Sequence, residues 1–210
     1  MTTIMCMGDS ITKGPEGGYR RHLAGMLAEA GLSYEFVGAQ ESCGLHEGYP
    51  GFRIEHLIDG RVTENWGVSQ EIGVTLERFK PQQLLLMVGT NNLYEADPAV
   101  AFASIKTLID RCLQHELALF VGSILPVRPG PKPWDMVVAE DVTTRIPAYN
   151  GRIAGYLSAL RDQGRPVHFV DVYSCIGSLD ELGDDGVHPR EETFEAIARC
   201  WFDALIAATD

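Results

Sequence analysis

Short apolar runs, bounded by glycine, proline and polar clusters, alternate along this chain with stretches whose apolar residues return every three to four positions. The short runs at residues 3–8, 34–37, 84–88, 117–121 and 167–172 read as strands. The clearest is Leu84-Leu85-Leu86-Met87-Val88, with polar glutamines before it and Gly89 after it. An unbroken apolar strand is one covered on both faces. Helical periodicity marks 18–30, 54–59, 69–79, 98–115, 145–163 and 190–207. Gly31 ends the first of these, as glycine does after a last turn, and Pro98 suits the opening of 98–115. Residues 39–53, rich in glycine and polar groups, read as loop. Residues 126–133 hold four of the 11 prolines and read as a stiff loop.

Repeated β-α alternation predicts a five-stranded parallel sheet covered on both faces. Right-handed crossovers then align every strand's carboxyl end along one edge. The loops after strands one, two, three and five carry Ser10, Gly51, Asn91 and His188, and all four can reach that edge. The 210 residues contain no repeat, linker or low-complexity tract, so residues 1–210 are expected to form one domain.

Composition narrows the partners. Hydrophobic residues make up 45% and charged residues 22%, ordinary globular values. The net charge of −12 argues against a nucleic-acid partner and against an anionic membrane. The start of the chain lacks the pattern of a signal peptide, and no apolar run is long enough to span a bilayer. A cytoplasmic location is the expectation. The five cysteines, Cys6, Cys43, Cys112, Cys175 and Cys200, are odd in number and show no C-x-x-C spacing. Neither a disulfide framework nor a zinc site is therefore expected; Cys6 and Cys112 read as small core residues. No Walker A, G-x-G-x-x-G, H-E-x-x-H or G-x-S-x-G occurs, so no metal or cofactor is expected.

The candidate chemistry lies near the two ends. The first strand stops at Gly8-Asp9-Ser10, and the last strand is followed by Asp185-Gly186-Val187-His188-Pro189. Serine is a poor nucleophile alone; an imidazole must take its proton and a carboxylate must orient that imidazole. Each residue also has a plainer reading. Ser10 could cap a helix, Asp185 could sit in a turn, and Pro189 could open the last helix. Asp9 is expected to hold its turn by accepting backbone hydrogen bonds. His22, His56, His115 and His168 lie on helix or strand patterns and read as structural or surface residues.

Gly8-Asp9-Ser10, Gly51, Gly89-Thr90-Asn91 and Asp185-x-x-His188 together resemble the SGNH hydrolases, also called GDSL esterases and lipases. The resemblance covers residues 4 to 189, with the blocks in the family's order. It implies a flavodoxin-like three-layer αβα sandwich. It makes Ser10 the nucleophile, His188 the general base and then acid, and Asp185 the group that orients His188. The backbone N–H groups of Ser10 and Gly51 and the side-chain amide of Asn91 would form an oxyanion hole, fixed donors that stabilise the charge of a tetrahedral intermediate. Glycine at 51 would let the backbone approach the substrate.

The stretch His46-Glu47-Gly48-Tyr49-Pro50-Gly51-Phe52-Arg53 is similar to the second block of the carbohydrate esterase branch, including family 3 acetyl xylan esterases. On that likeness His46, Glu47, Tyr49 and Arg53 become candidate contacts for substrate hydroxyls. The third block departs from the family's usual Gly-Thr-Asn-Asp, because Asn92 stands at its last position. The resemblance implies a serine esterase acting on a small acyl ester, with an acetylated sugar the leading substrate. Lysophospholipase, thioesterase, arylesterase and acyltransferase activities share the machinery, and an inactive binding module is the non-enzymatic alternative. Trp134 and the proline-rich loop read equally as a lid over the pocket or as a packed surface loop.

Overall fold

The first strand sets the centre of the molecule. In a computed structural model describing residues 1–208, β1 (Thr2–Gly8) is buried along its last five residues. It leads into the single-turn helix α1 (Ser10–Lys13) and then α2 (Gly18–Glu29). Next come β2 (Tyr34–Phe36), β3 (Gln40–Glu41), β4 (Leu45–Gly48) and α3 (Ile54–Asp59). They are followed by β5 (Arg61–Thr63), β6 (Gly67–Ser69), α4 (Ile72–Phe79), β7 (Gln83–Met87) and α5 (Thr90–Leu93). The second half contains α6 (Pro98–Cys112), β8 (Ala118–Gly122), β9 (Gly130–Lys132), β10 (Met136–Val138), α7 (Val142–Asp162), β11 (Val167–Val170) and α8 (Glu191–Ala207).

The main sheet runs β11-β8-β7-β1 in parallel. The far edge of β1 is shared. β2 pairs with its first half, from Thr2↔Tyr34 to Ile4↔Phe36, and β4 pairs with its end at Met7↔Glu47 and Gly8↔Gly48. The order β2-β1-β7-β8-β11 is that of a doubly wound sheet, which binds ligands at the carboxyl ends of its strands. Helices cover it in two groups: α2 packs on α8, while α3, α4 and α7 gather around α6. Leu84, Leu85 and Leu86 of β7 are fully buried, as the unbroken apolar run requires. Burying one leucine is worth about 1.5–3 kcal/mol, so this strand anchors the core.

The five predicted strands and all six longer helical segments are present, with shifted ends: α4 begins at Ile72, and α7 begins earlier, at Val142. Three small antiparallel pairs were not predicted. β3–β4 occupies the expected 39–53 loop, β5–β6 lies before α4, and β9–β10 grows out of the proline-rich loop. They are two to four residues per strand, too short to show an apolar alternation.

The cysteine expectation needs correction. Cys6 and Cys112 are buried free thiols, but Cys175, in the loop after β11, is joined to Cys200 of α8 by a disulfide. The two are 25 residues apart in sequence. Packing of that loop on the last helix brings them together, and residue spacing alone does not show it.

Candidate active site

The end of β1 places Ser10. Gly8 must be glycine, because a Cβ there would overlap the carbonyl oxygen of Met87 and the Thr12 hydroxyl. Asp9, not Ser10, caps α1: its Oδ1 accepts from the Ile11 N–H at 3.0 Å. Ser10 is thus the first helical residue, with its side chain free for another partner. The turn is held from behind by Arg20, a fully buried guanidinium that donates to the carbonyls of Thr12 (2.8 Å) and Lys13 (2.9 Å). It also donates to Ser42 O at 2.8 Å, tying α1 to the β3–β4 turn. Nothing in the local sequence around Arg20 signals this role.

Ser10 meets residues from the other end of the chain. His188 Nε2 lies 2.8 Å from Ser10 Oγ, and His188 Nδ1 lies 2.7 Å from Asp185 Oδ2. With Nδ1–H donating to the carboxylate, Nε2 is left as the acceptor for the serine hydroxyl. The other Asp185 oxygen accepts from the backbone N–H groups of Val187 (2.8 Å) and His188 (2.9 Å). The aspartate therefore builds its own turn and aims the imidazole at once. Partial burial pushes the Asp185 carboxyl up, but the hydrogen bonds from His188 and Val187 outweigh it and leave it below the ordinary carboxylate range. It stays ionised beside the ring.

Asp9 behaves in the opposite way. Burial raises it to about 6, against the pull of the Ile11 N–H and of His188. A carboxyl raised in the fold loses stabilising weight as pH rises from its ordinary value towards 6. Asp9 holds the turn, as its place in the sequence suggests.

Gly51 comes from the loop after β4, and Asn91 from α5, directly after β7. Gly51 has φ +73°, a left-handed conformation that favours glycine. A Cβ there would meet nothing within 4 Å, so its side faces open space. Asn91 donates one amide hydrogen to Phe52 O at 2.9 Å, and its second hydrogen remains available. Asn92, the departure from the family's third block, is buried and doubly used. Its Oδ1 accepts from the Ile54 N–H at 3.0 Å, and its Nδ2 donates to Glu55 Oε2 at 2.9 Å. The adjacent asparagines thus clamp the 52–55 segment that follows Gly51. An aspartate at 92 would put a second carboxylate against Glu55.

The second-block contacts need correction. His46, Glu47 and Tyr49 are each 1% exposed or less and cannot touch a substrate. Glu47 accepts from the Tyr49 hydroxyl at 2.7 Å and from the Ala39 N–H at 2.6 Å, while His46 Nδ1 accepts from the Gly48 N–H at 2.9 Å. Arg53 alone of the four reaches the surface, paired with Glu95 at 2.8 Å. The remaining histidines have structural partners: His22 sits on Glu191, His56 accepts from the Arg53 N–H, His115 pairs with Glu77 and His168 stacks on Phe120. Trp134, at the tip of β9–β10, stands against His188 with ring centroids 6.0 Å apart.

An apolar cavity of about 220 Å³, walled by residues that include Val127, Ile146, Ile176 and Leu179, contains none of Ser10, Asn91, Asp185 or His188 in its lining. Among the described residues, no three His, Cys, Asp or Glu side chains converge on a possible metal position.

Comparison with known proteins agrees with this geometry. The model of the GDSL-like lipase/acylhydrolase family matches residues 6–196. A family 3 carbohydrate esterase from Clostridium thermocellum is 28% identical, with a TM-score of 0.73 over 98% of this chain and 96% of that one. A family 3 carbohydrate esterase from Talaromyces cellulolyticus is 24% identical, with a TM-score of 0.79 over 99% of this chain and 97% of the other. The aryl esterase of M. smegmatis shares the fold at 18% identity, with a TM-score of 0.73 over 99% of this chain and 100% of that one. No curated protein sequence matches the chain.

Proposed function

The chain belongs to the GDSL-like lipase/acylhydrolase family and is a carboxylic ester hydrolase acting on small-molecule esters, and we propose that it removes short acyl groups, acetyl first, from carbohydrates or similar polyhydroxylated alcohols. The observation that carries the reading is the hydrogen-bonded series Ser10–His188–Asp185 at the carboxyl edge of the sheet.

Ser10 Oγ attacks the ester carbonyl while His188 Nε2 takes its proton. Asp185 keeps the ring in the required tautomer and offsets its positive charge. The charge on the carbonyl oxygen is met by the N–H groups of Ser10 and Gly51 and by the second amide hydrogen of Asn91. The first N–H groups of a helix have no intrahelical acceptor, which leaves that of Ser10 at the start of α1 suited to the task. His188 then protonates the departing alcohol. A water, deprotonated by the same imidazole, releases the acid from Ser10.

The likeness to a family 3 carbohydrate esterase, which extends over nearly the whole chain, supports a short acyl group and a polar alcohol. Hydrolysis of p-nitrophenyl esters from acetate to decanoate, alongside acetylated sugars, tests the reading. Acetate esters should be cleaved with kcat/KM well above octanoate esters, and acetylated saccharides should lose acetate. Preference for octanoate or longer, with no acetate released from any saccharide, would reject it.

A further inference from the structure

Trp134 is an indole with 43% of its surface exposed, next to the imidazole that reaches Ser10. β9 and β10 pair from Gly130↔Val138 to Lys132↔Met136, which leaves Pro133-Trp134-Asp135 as a three-residue tip. Asp135 takes φ +58°, the left-handed residue that closes such a loop.

The base of the hairpin is fastened to the catalytic loop. Lys132, buried under the tip, donates from Nζ to Asp185 O at 3.0 Å and to Arg128 O at 2.5 Å. Arg128 N–H donates to Gly186 O at 2.8 Å, and its guanidinium donates to Leu179 O at 2.8 Å. Hairpin and Asp185–His188 loop are thereby one unit, and the indole is held at a fixed place. A tryptophan left open on a braced tip forgoes the burial that Trp201 obtains in the core.

Reaction chemistry says what that place is for. As the Ser10 Oγ–acyl bond forms and the ester C–O bond breaks, the proton taken from Ser10 passes from His188 Nε2 to the leaving oxygen. The alcohol must therefore depart on the His188 side of Ser10. The carbonyl oxygen then belongs with the oxyanion donors assigned above, the N–H groups of Ser10 and Gly51 and the amide of Asn91. The ring that flanks His188 flanks the alcohol.

We propose that Trp134 forms the subsite for the alcohol half of the ester and takes the C–H face of a ring-shaped leaving group such as a pyranose. The negative face of an aromatic ring attracts the partly positive C–H groups of a stacked ring. The proposal rests on the esterase reading above and adds to it where the alcohol binds.

The test compares methyl acetate, cyclohexyl acetate and an acetylated methyl xylopyranoside as substrates of the wild type, Trp134→Ala and Trp134→Phe. The quantity read is the ratio of kcat/KM for each ring-bearing acetate to that for methyl acetate. Trp134→Ala should lower both ratios about tenfold, equivalent to ~1.4 kcal/mol of transition-state binding, and Trp134→Phe should restore most of the loss. Ratios that stay within about twofold of wild type in the alanine variant would overturn the proposal, whether the absolute rates hold or fall together. If the wild type cleaves cyclohexyl acetate but not the xyloside, and the alanine variant still loses the cyclohexyl ratio, the carbohydrate reading fails and the subsite stands.

Discussion

Two regions of this molecule hold the same three functional groups and use them differently. Ser10, His188 and Asp185 supply a hydroxyl, an imidazole and a carboxylate, and so do Tyr49, His46 and Glu47. In the first set the imidazole stands between the other two, bonded to both, and is partly open. In the second the carboxylate takes the tyrosine hydroxyl directly, and the imidazole turns to its own backbone. His46 Nε2 is buried with no partner. Burial, aided by the nearby Arg20 and Lys13 cations, pushes His46 down to about 3. An imidazole that refuses a proton until then cannot serve as a base near neutral pH. The difference comes from place in the fold. Asp185 and His188 sit in a loop beyond a strand's carboxyl end, whereas His46 and Glu47 lie within a strand and Tyr49 directly after it, packed inside.

Matched substitutions give the sharpest break between the regions. His188→Gln should lower kcat by about 10⁴-fold or more, as loss of a triad member does, with little change in the urea midpoint. His46→Gln should leave kcat within about threefold of wild type and lower the urea midpoint instead, because it disturbs a packed site. The pH dependence follows in sign. The unfolded chain takes up a proton at His46 below the ordinary value of 6.5, while the fold resists it down to about 3. Stability is therefore lost as pH falls through that window, and His46→Gln should flatten this acid loss in urea titrations. Equal loss of catalysis in both variants would erase the distinction.

A smaller effect is expected at Asn91. Removing one oxyanion donor costs roughly 10²–10³ in kcat, or about 3–4 kcal/mol. Steady-state kinetics of Asn91→Ala should show kcat falling far more than KM rises; a change confined to KM would make Asn91 a substrate-binding group.

The smallest effect concerns its neighbour. Asn92→Asp should place two carboxylates in contact and lower kcat about tenfold above neutral pH, since like charges so close oppose joint ionisation. Adding Glu55→Gln should restore the rate. A double variant no faster than Asn92→Asp would show that the Glu55 contact does not position the oxyanion loop.

The sheet was legible in the sequence because it rests on strong local signals, and the family resemblance named the three residues that the fold joins by hydrogen bonds. Leu84 to Val88 can hardly be anything but a buried strand, and the segments after the strands carry Ser10, Asn91 and His188 to one edge. The second block misled because hydrogen-bonding side chains look alike whether they face a ligand or their own backbone; what separates His46 from His188 is burial, which arises only from packing. Lys132 was unreadable for a similar reason, and Trp134 could be read only as either a lid or a packed surface residue. Their hairpin is short, proline-rich and exposed, and its meaning comes from bonds to Asp185 O and Gly186 O, more than 50 residues away in sequence. The disulfide partner of Cys175 and the carboxylate partner of Asn92 likewise lie on other elements.

The central claim is that Ser10 carries the acyl group between the two half-reactions. Rapid acid quenching of the enzyme during turnover of p-nitrophenyl acetate, followed by peptide mass spectrometry, reads this directly. The account predicts a single acetyl adduct on the peptide containing Ser10, absent from Ser10→Ala, which should stay folded and lose about 10⁴- to 10⁶-fold in kcat. An acetyl adduct on a different residue, or an alanine variant that keeps a tenth of wild-type turnover, would contradict it.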